Sequence, residues 1–392
     1  MRILFYYLLT LLVPMVLYAN TPDATIQFKF YGTPIEITYS PEILNTSLGS
    51  ELSENTFEDF DKEISSNDIG TILHQLFAQK TNLDLNDWLY YLLIRASIDA
   101  IFKTETENFK ILAHWVMLNK SGYDVKLNYF QNQLSLSVFT TDEVFEMPRR
   151  AERNGWYVDI SSFFKDGYTT MPNSFSSTIP SSNNILFHFY LEKLPIFTNP
   201  TIEERTYKFI HDNQENELNI KVNKNAVRIM YRYPETTIKQ QSTIPMSLEA
   251  RTSLIPKLKE KVRTMGNYEA VRYLLSFTRQ SFRYKTDLEA YGLENVTFSP
   301  EETLFYPDSD CEDRSILFVF LVREVLMLDA ILIDYPEHAS AAVNFKTTSY
   351  GEPILYNGSK YTICEPTGPG NDLLPGQYPN GLENVPFNII DK

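Results

Sequence analysis

The sequence is poor in positive charge, in cysteine and in histidine, and each shortage narrows what the chain does. Its 392 residues carry 35 Lys and Arg against 50 Asp and Glu, a formal net charge of -15. Phosphate backbones are recognised through a positive field, so this balance argues against a nucleic-acid partner. Only two cysteines, Cys311 and Cys364, and five histidines are available for nucleophilic or metal chemistry. Beyond Leu17 no apolar run approaches the roughly 20 residues that span a bilayer. What is present in quantity is apolar: 43% of residues are hydrophobic, with 25 Tyr and 26 Phe. A chain of this length divides that material among two or three domains.

The first residues, MRILFYYLLTLLVPMVLYA, place Arg2 before an apolar run from Ile3 to Leu17 and a small residue at Ala19. This is the layout of a secretory signal, expected to be removed after residue 19, with a retained membrane anchor as the alternative. No cysteine lies near the junction, so lipid attachment there is not expected. The mature protein is expected to be periplasmic or secreted, without a membrane span. Two cysteines in an exported chain ordinarily suggest a disulfide. Alternation in YTICEPT argues otherwise, since Glu365 and Cys364 fall on opposite faces. If Glu365 looks toward Cys311, Cys364 looks away.

The pattern along the chain is that of an α+β protein. ATIQFKF and PIEITYS read as a hairpin turning at Gly32-Thr33-Pro34, and the polar stretch from Asn45 to Asp68 as a mobile connection. LNDWLYYLLIRASIDAIF and ENFKILAHWVMLNK have helical spacing, and QLSLSVF and GWYVDIS alternate as strands, giving an N-terminal α/β domain over 20–168. TTMPNSFSSTIPSSNN (169–184) reads as a linker. Short alternating segments over 185–245, among them ILFHFYLE, TYKFIHD and AVRIMYRYP, suggest a small β-sandwich. Helices return in LEARTSLIPKLKEKV and YEAVRYLLSFTRQ, opening a C-terminal domain over 246–392.

One internal similarity stands out. An offset of 205 residues lays Ile111 on Ile316, Asp124 on Asp329 and Leu127 on Leu332. Thr106 then falls on Cys311, Gln133 on His338 and, at nearly the same offset, Asp159 on Glu365. A chemically silent duplicate would explain this. The plainer account, that any helix–loop–strand unit shares such a pattern, is the one preferred from the sequence.

The chemistry concentrates in PDSDCEDRSILF, where Cys311 sits among Asp308, Asp310, Glu312 and Asp313, directly ahead of an apolar run. Ser, Asp and Asn are helix-capping residues, so a helix is expected to begin here with the cysteine at its positive end. A helix N-terminus and an imidazolium both lower a thiol pKa, whereas the adjacent carboxylates raise it. His338 is the expected imidazole, with His338, Ser340, Ala342 and Asn344 on one face of a strand whose small residues let it approach the cysteine helix. Glu365, reached through an Asn357-Gly358 hairpin turn, is the expected orienting acid. The four carboxylates around Cys311 also have the hard-oxygen chemistry of a Ca²⁺ site, though not the spacing of an EF-hand. The alternative for them is a capped helix start with a solvated acidic turn.

FSPEETLFYPDSDCEDRSILFVFLVREVLMLDAILIDYPEHASAAV, followed by YTICEPTG, resembles the transglutaminase-like superfamily of bacterial cysteine enzymes, whose core follows the papain-like plan. The resemblance covers roughly 265–370 and implies Cys311 as nucleophile, His338 as general base and Glu365 as third member, where many members have Asp. Some members depend on calcium. Analogy with upstream residues in such enzymes offers Gln280 or Tyr284 as a second oxyanion donor beside the Cys311 N–H. TGPGNDLLPGQYPNG, past Glu365, reads as a flap over the cleft or a loose tail. The function expected is a peptidase or amidase acting on protein or peptide in the cell envelope through an acyl-thioenzyme, with no required cofactor. Cross-linking transglutaminase activity and a non-catalytic envelope-binding module are the alternatives.

Overall fold

The computed structural model describes residues 22–164, 175–180, 183–293, 296–368 and 372–391. The expected leader and parts of the expected linker and flap lie outside the described residues. The fold is mixed α+β. No helix among the described residues is long and apolar enough to cross a membrane.

The chain opens with a hairpin, β1 (Ala24–Phe30) and β2 (Thr33–Tyr39), that turns at Tyr31 and Gly32 rather than at Gly32-Thr33-Pro34. Both turn residues have positive φ, as a two-residue hairpin turn of right-handed twist requires. Four helices follow: α1 (Glu54–Ser66), α2 (Ile69–Asn82), α3 (Asp87–Ile101) and α4 (Glu107–Lys120). The stretch expected to be a mobile connection is therefore largely α1. Ser53 caps it, and Phe57, Phe60 and Ile64 form a buried stripe at helical spacing. A five-stranded antiparallel sheet completes the N-terminal half. It comprises β3 (Val125–Phe130), β4 (Gln133–Thr140), β5 (Arg149–Glu152), β6 (Gly155–Asp159) and β7 (Phe175–Ser176), in the order β5-β6-β4-β3-β7.

No β-sandwich forms over 185–245 among the described residues. ILFHFYLE is extended but joins no ladder. Ile185 makes a single bridge to Tyr123 and the Phe187 N–H donates to the Phe139 carbonyl at 2.9 Å, after which side chains take over, with His188 N–H donating to Asp87 Oδ2 at 3.0 Å and Phe189 N–H to Asp142 Oδ2 at 2.7 Å. Phe187 and Phe189 fill the N-terminal core, which is what their alternation served. The next two segments pair only with each other, as the hairpin β8 (Ile202–His211) and β9 (Gln214–Asn223). AVRIMYR is not a strand but lies mostly in α5 (Lys224–Met230), capped by Asn223.

The C-terminal half continues with α6 (Ile238–Thr243), α7 (Leu248–Val262) and α8 (Asn267–Gln280). A stretch of short elements follows: β10 (Arg283–Tyr284), α9 (Asp287–Tyr291), α10 (Pro300–Phe305) and β11 (Asp308–Ser309). Then come α11 (Cys311–Leu321), extended by a π turn over Val322–Leu326, and the strands β12 (Ala330–Tyr335), β13 (His338–Val343), β14 (Ile354–Tyr356), β15 (Ser359–Cys364) and β16 (Asn388–Ile390). Their order is β14-β15-β13-β12-β16. Position for position, this is the order of the first sheet.

The correspondence extends beyond the sheets. In each half a hairpin comes first, α2 packs on β2 as α7 packs on β9, α3 meets β1 as α8 meets β8, and α4 lies on β4 as α11 lies on β13. Both hairpins are held at the outer strand by one helical side chain that engages both polar groups of a residue's backbone. Gln75 brackets Thr38 at 3.0 and 2.7 Å, and Ser253 brackets Lys221 at 2.9 and 3.4 Å. Phe130 pairs with Gln133 as Tyr335 pairs with His338, so these strands repeat at the offset of 205. The helix caps, Thr106 and Asp310, are 204 apart, because the π turn after α11 accommodates one additional residue. A shared helix–loop–strand pattern does not account for this agreement; the two halves repeat one plan.

α11 is buried by that plan. Ile316, Leu317, Phe318, Val319 and Leu321 are at most 2% exposed, each side chain stabilising the fold by about 1.5–3 kcal/mol. The C-terminal sheet has a core on each face. Ala341, Val343 and Cys364 pack beneath α11, whereas Ile331, Ile333, Ala342 and Ile363 pack under the final segment of the chain.

Candidate active site

Cys311 is the first residue of α11. Asp310 is its N-cap, accepting from the N–H groups of Glu312 and Asp313 at 3.0 and 3.4 Å, and Asp313 returns a bond from the Asp310 N–H at 3.2 Å. A first-turn N–H has no intrahelical acceptor, and this cap serves the two N–H groups after Cys311 and leaves that of Cys311 itself. The Ala339 N–H faces the sulfur and acts to lower its pKa, and Ser315 Oγ donates to the Ala339 carbonyl at 3.0 Å. The helix start is thus seated on β13 one residue from His338.

His338 begins β13, and its ring stands at the strand's end beside Tyr335. Nε2 meets Glu365 Oε2 at 2.9 Å. Nδ1 makes no hydrogen bond among the described residues, to the Cys311 sulfur or to any other group. The face of β13 turned to the helix is Ala339, Ala341 and Val343, not the set of His338, Ser340, Ala342 and Asn344 read from alternation. Small residues do admit the helix, but they are the other ones.

Glu365 follows the last ladder residue of β15 and is 1% exposed. Its Oε1 accepts from the Thr367 N–H at 2.8 Å. Burial acts to raise its carboxyl, yet the bonds from His338 and Thr367 prevail and hold it below the usual carboxylate range. Cys364 is buried on the helix side of the sheet rather than turned from it, because Glu365 has left the ladder and alternation no longer relates the two. Both thiols are free, so no disulfide joins them.

The electrostatics of the sulfur run against the depression expected at a helix N-terminus. Burial and the Asp310 carboxylate push the Cys311 thiol up to about 12, and the Ala339 N–H offsets only part of this. Burial together with mutual repulsion also lifts Asp287 to about 6 and Glu312 to about 7. Glu235, between α5 and α6, rises to about 7 by burial and by repulsion from Glu146, Glu312 and Asp287. The resting sulfur is a thiol in an acidic surrounding.

The four carboxylates proposed as calcium ligands do not converge. Asp308 is drawn off by Arg283 at 2.8 Å and Lys285 at 3.4 Å, and Asp313 turns inward to accept from the Phe298 N–H at 2.8 Å. Asp310 and Glu312 are instead joined by Asp287, one oxygen from each lying within 4.8 Å of the others. Gln280 is not an oxyanion donor here, since its amide brackets the Ile210 backbone at 2.9 Å on both sides. Tyr284 does stand at the site, its hydroxyl raised to about 12 by burial and by the neighbouring Cys311 and Asp310, with the Arg314 guanidinium 5.4 Å from its ring.

Sequence reading overlooked Asp287, the Ala339 N–H and two arginines. Arg314 is fully buried. Its signal was visible in CEDRSILF, where one permanent cation stands just ahead of Ser315 and the apolar run of a buried helix. Asp287 and the Ala339 N–H have no such signal, because only the chain's path brings them to the cysteine. Comparison of this chain with protein-family models, with curated proteins and with solved structures gives no match in any of the three.

Proposed function

We propose that this protein is an exported cysteine hydrolase of the transglutaminase-like type, a peptidase or amidase that works through an acyl-thioenzyme on protein or peptide of the cell envelope. One observation carries the reading. A buried carboxylate holds the far nitrogen of an imidazole at 2.9 Å, while the helix that begins at Cys311 bonds, through Ser315 Oγ, the carbonyl of the residue after that histidine at 3.0 Å. This is a nucleophile, base and orienter on a helix and two adjacent strands.

The steps follow from the resting thiol. His338 Nδ1 takes the proton of Cys311 as the sulfur attacks the carbonyl carbon of an amide, so charge separation occurs in the reaction and not before it. The Cys311 N–H, with the Tyr284 hydroxyl as second donor, receives the developing oxyanion. The C–N bond breaks as the imidazolium returns its proton to the leaving amine; water then attacks the thioester as His338 takes its proton, the C–S bond breaks to release the acid, and the imidazolium reprotonates the sulfur. An amine in place of water gives cross-linking, which uses the same residues. Glu365 keeps the ring in one tautomer and stabilises its charged form. No step requires a metal; Ca²⁺ among Asp287, Asp310 and Glu312 would relieve their repulsion.

Iodoacetamide labelling across pH, read by intact mass, tests the reading. Cys311 is expected to be labelled and Cys364 spared, with His338→Ala slowing the reaction at neutral pH by about 10²-fold. A profile indifferent to His338→Ala overturns the enzyme and leaves the envelope-binding module.

A further inference from the structure

We infer that two arginines, the half-buried Arg279 and the buried Arg314, are positioning residues for Glu365, taking over where the strand ladder ends; the inference rests on the Cys311–His338–Glu365 reading above. The last paired residue of β15 is Cys364, opposite Ala341. Glu365 to Thr367 continue past the ladder without a strand partner, yet the carboxylate must be placed within a few tenths of an ångström to orient an imidazole. Guanidinium groups supply the missing bonds. Arg279, near the end of α8, donates from Nε to the Glu365 carbonyl at 2.7 Å, from Nη2 to the same oxygen, and from Nη2 to the Leu373 carbonyl at 2.8 Å. Arg314, three residues after the nucleophile, donates to the carbonyls of Thr367, Phe282 at 2.8 Å and Arg279 at 3.2 Å, and to Ser309 Oγ at 3.0 Å. The cysteine helix, α8 and the loop bearing the acid are therefore tied by five-donor forks that a lysine does not reproduce.

Two further features point the same way. Gly368, at φ +43°, presses its Cα so close to Arg279 that a Cβ would lie 2.9 Å from the arginine's own Cβ, so the loop is clamped against that side chain. In the N-terminal half the helix position of Arg314 is Lys110, which pairs with Asp99 at 3.0 Å and reaches no loop. On α3, Arg95 instead lies over the Phe164 ring at 4.2 Å. Arg279 faces Glu365 and not Cys311, so it acts through the acid; Arg314, which also neighbours Cys311 and the Tyr284 ring, bears on Glu365 through the Thr367 carbonyl.

Arg279 also lines a cavity of about 480 Å³ together with Ser276, Gln280, Asp372 and Leu373, which permits a rescue experiment. The full-length protein and its Arg279→Ala, Arg279→Lys, Glu365→Gln and Arg279→Ala/Glu365→Gln variants are labelled with iodoacetamide across pH, with thermal midpoints recorded alongside. Arg279→Ala is expected to take on the pH profile of Glu365→Gln and to slow labelling of Cys311 at neutral pH by about 10²-fold. The double variant should be no slower than Glu365→Gln, and Arg279→Lys intermediate. Methylguanidinium below denaturing concentration should restore Arg279→Ala and leave Glu365→Gln unchanged. Wild-type labelling in Arg279→Ala beside slow labelling in Glu365→Gln overturns the inference, as do additive losses in the double variant. If Arg279→Ala fails to fold, Arg279→Lys decides, and a wild-type profile there counts against the role. A Glu365→Gln protein that labels like wild type instead overturns the triad itself, and this inference with it.

Discussion

The two halves of this molecule share a plan and differ in what lies between two helices. In the N-terminal half five residues, Phe102 to Thr106, join α3 to α4; in the C-terminal half residues 281–310 join α8 to α11. That longer passage carries Tyr284, Asp287 and Asp308 to the start of α11. It is anchored by Glu301, whose buried carboxylate accepts from the Asn223 and Ser247 N–H groups at 2.8 and 2.6 Å and from Ser247 Oγ at 2.7 Å. At the positions of Cys311, His338 and Glu365 the first half has Glu107, Gln133 and Ser161, a set with no nucleophile–base pair. The three residues read from sequence as silent counterparts were Thr106, Gln133 and Asp159; only Gln133 stands in register. The common plan supplies a braced helix on a sheet, and the longer passage is what brings Tyr284 and Asp287 to the start of that helix in one half and not the other.

Three experiments would break or sharpen that contrast. The largest effect is expected from Glu301→Ala, which leaves two buried N–H groups without acceptors and should cost about 3 kcal/mol in urea unfolding. Gln75→Ala, at a bracket common to both halves, should cost about 1 kcal/mol. Equal losses would mean that the inserted passage is no more tightly held than the shared frame. Next, Asp310→Asn keeps a good cap but removes the charge nearest the sulfur. It should accelerate labelling of Cys311 above neutral pH by up to about tenfold, one pKa unit; no change would assign the raised thiol to burial alone. The smallest effect concerns the acid group. Asp287 at about 6, and Glu312 and Glu235 at about 7, bind protons more tightly folded than unfolded. Their contribution is full below the unfolded carboxylate range near about 4 and is lost as pH climbs through about 7. The thermal midpoint should fall by a few degrees from about pH 5 to about pH 8, and Glu312→Gln should flatten that slope. Millimolar calcium should abolish the fall if it enters among these carboxylates, and an unmoved midpoint removes the metal.

Much of this was legible locally. The start of α11 at Cys311, the Asn357-Gly358 turn and the strands LDAILIDY and EHASAAV follow from capping chemistry, positive-φ residues and alternation, all of which act over a few residues. The β-sandwich did not follow, because alternation reports that a segment buries one side and not what it pairs with. ILFHFYLE buries Phe187 and Phe189 beneath side-chain acceptors, and AVRIMYR buries its apolar residues as a helix. The same limit applied to β13. Period two separates two faces but does not say which face a helix will cover.

The hairpin β1–β2, the helix that begins at Cys311 and the strands on either side of Pro336 and Glu337 were determined by the sequence alone, since each depends on neighbours within a turn or a hairpin. The protonation of the sulfur, the partner of the acid cluster and the hold on Glu365 were decided only by tertiary structure. Burial and charge repulsion depend on groups such as Asp287, Arg279 and Ala339, which lie tens of residues away in sequence and within a few ångströms in space.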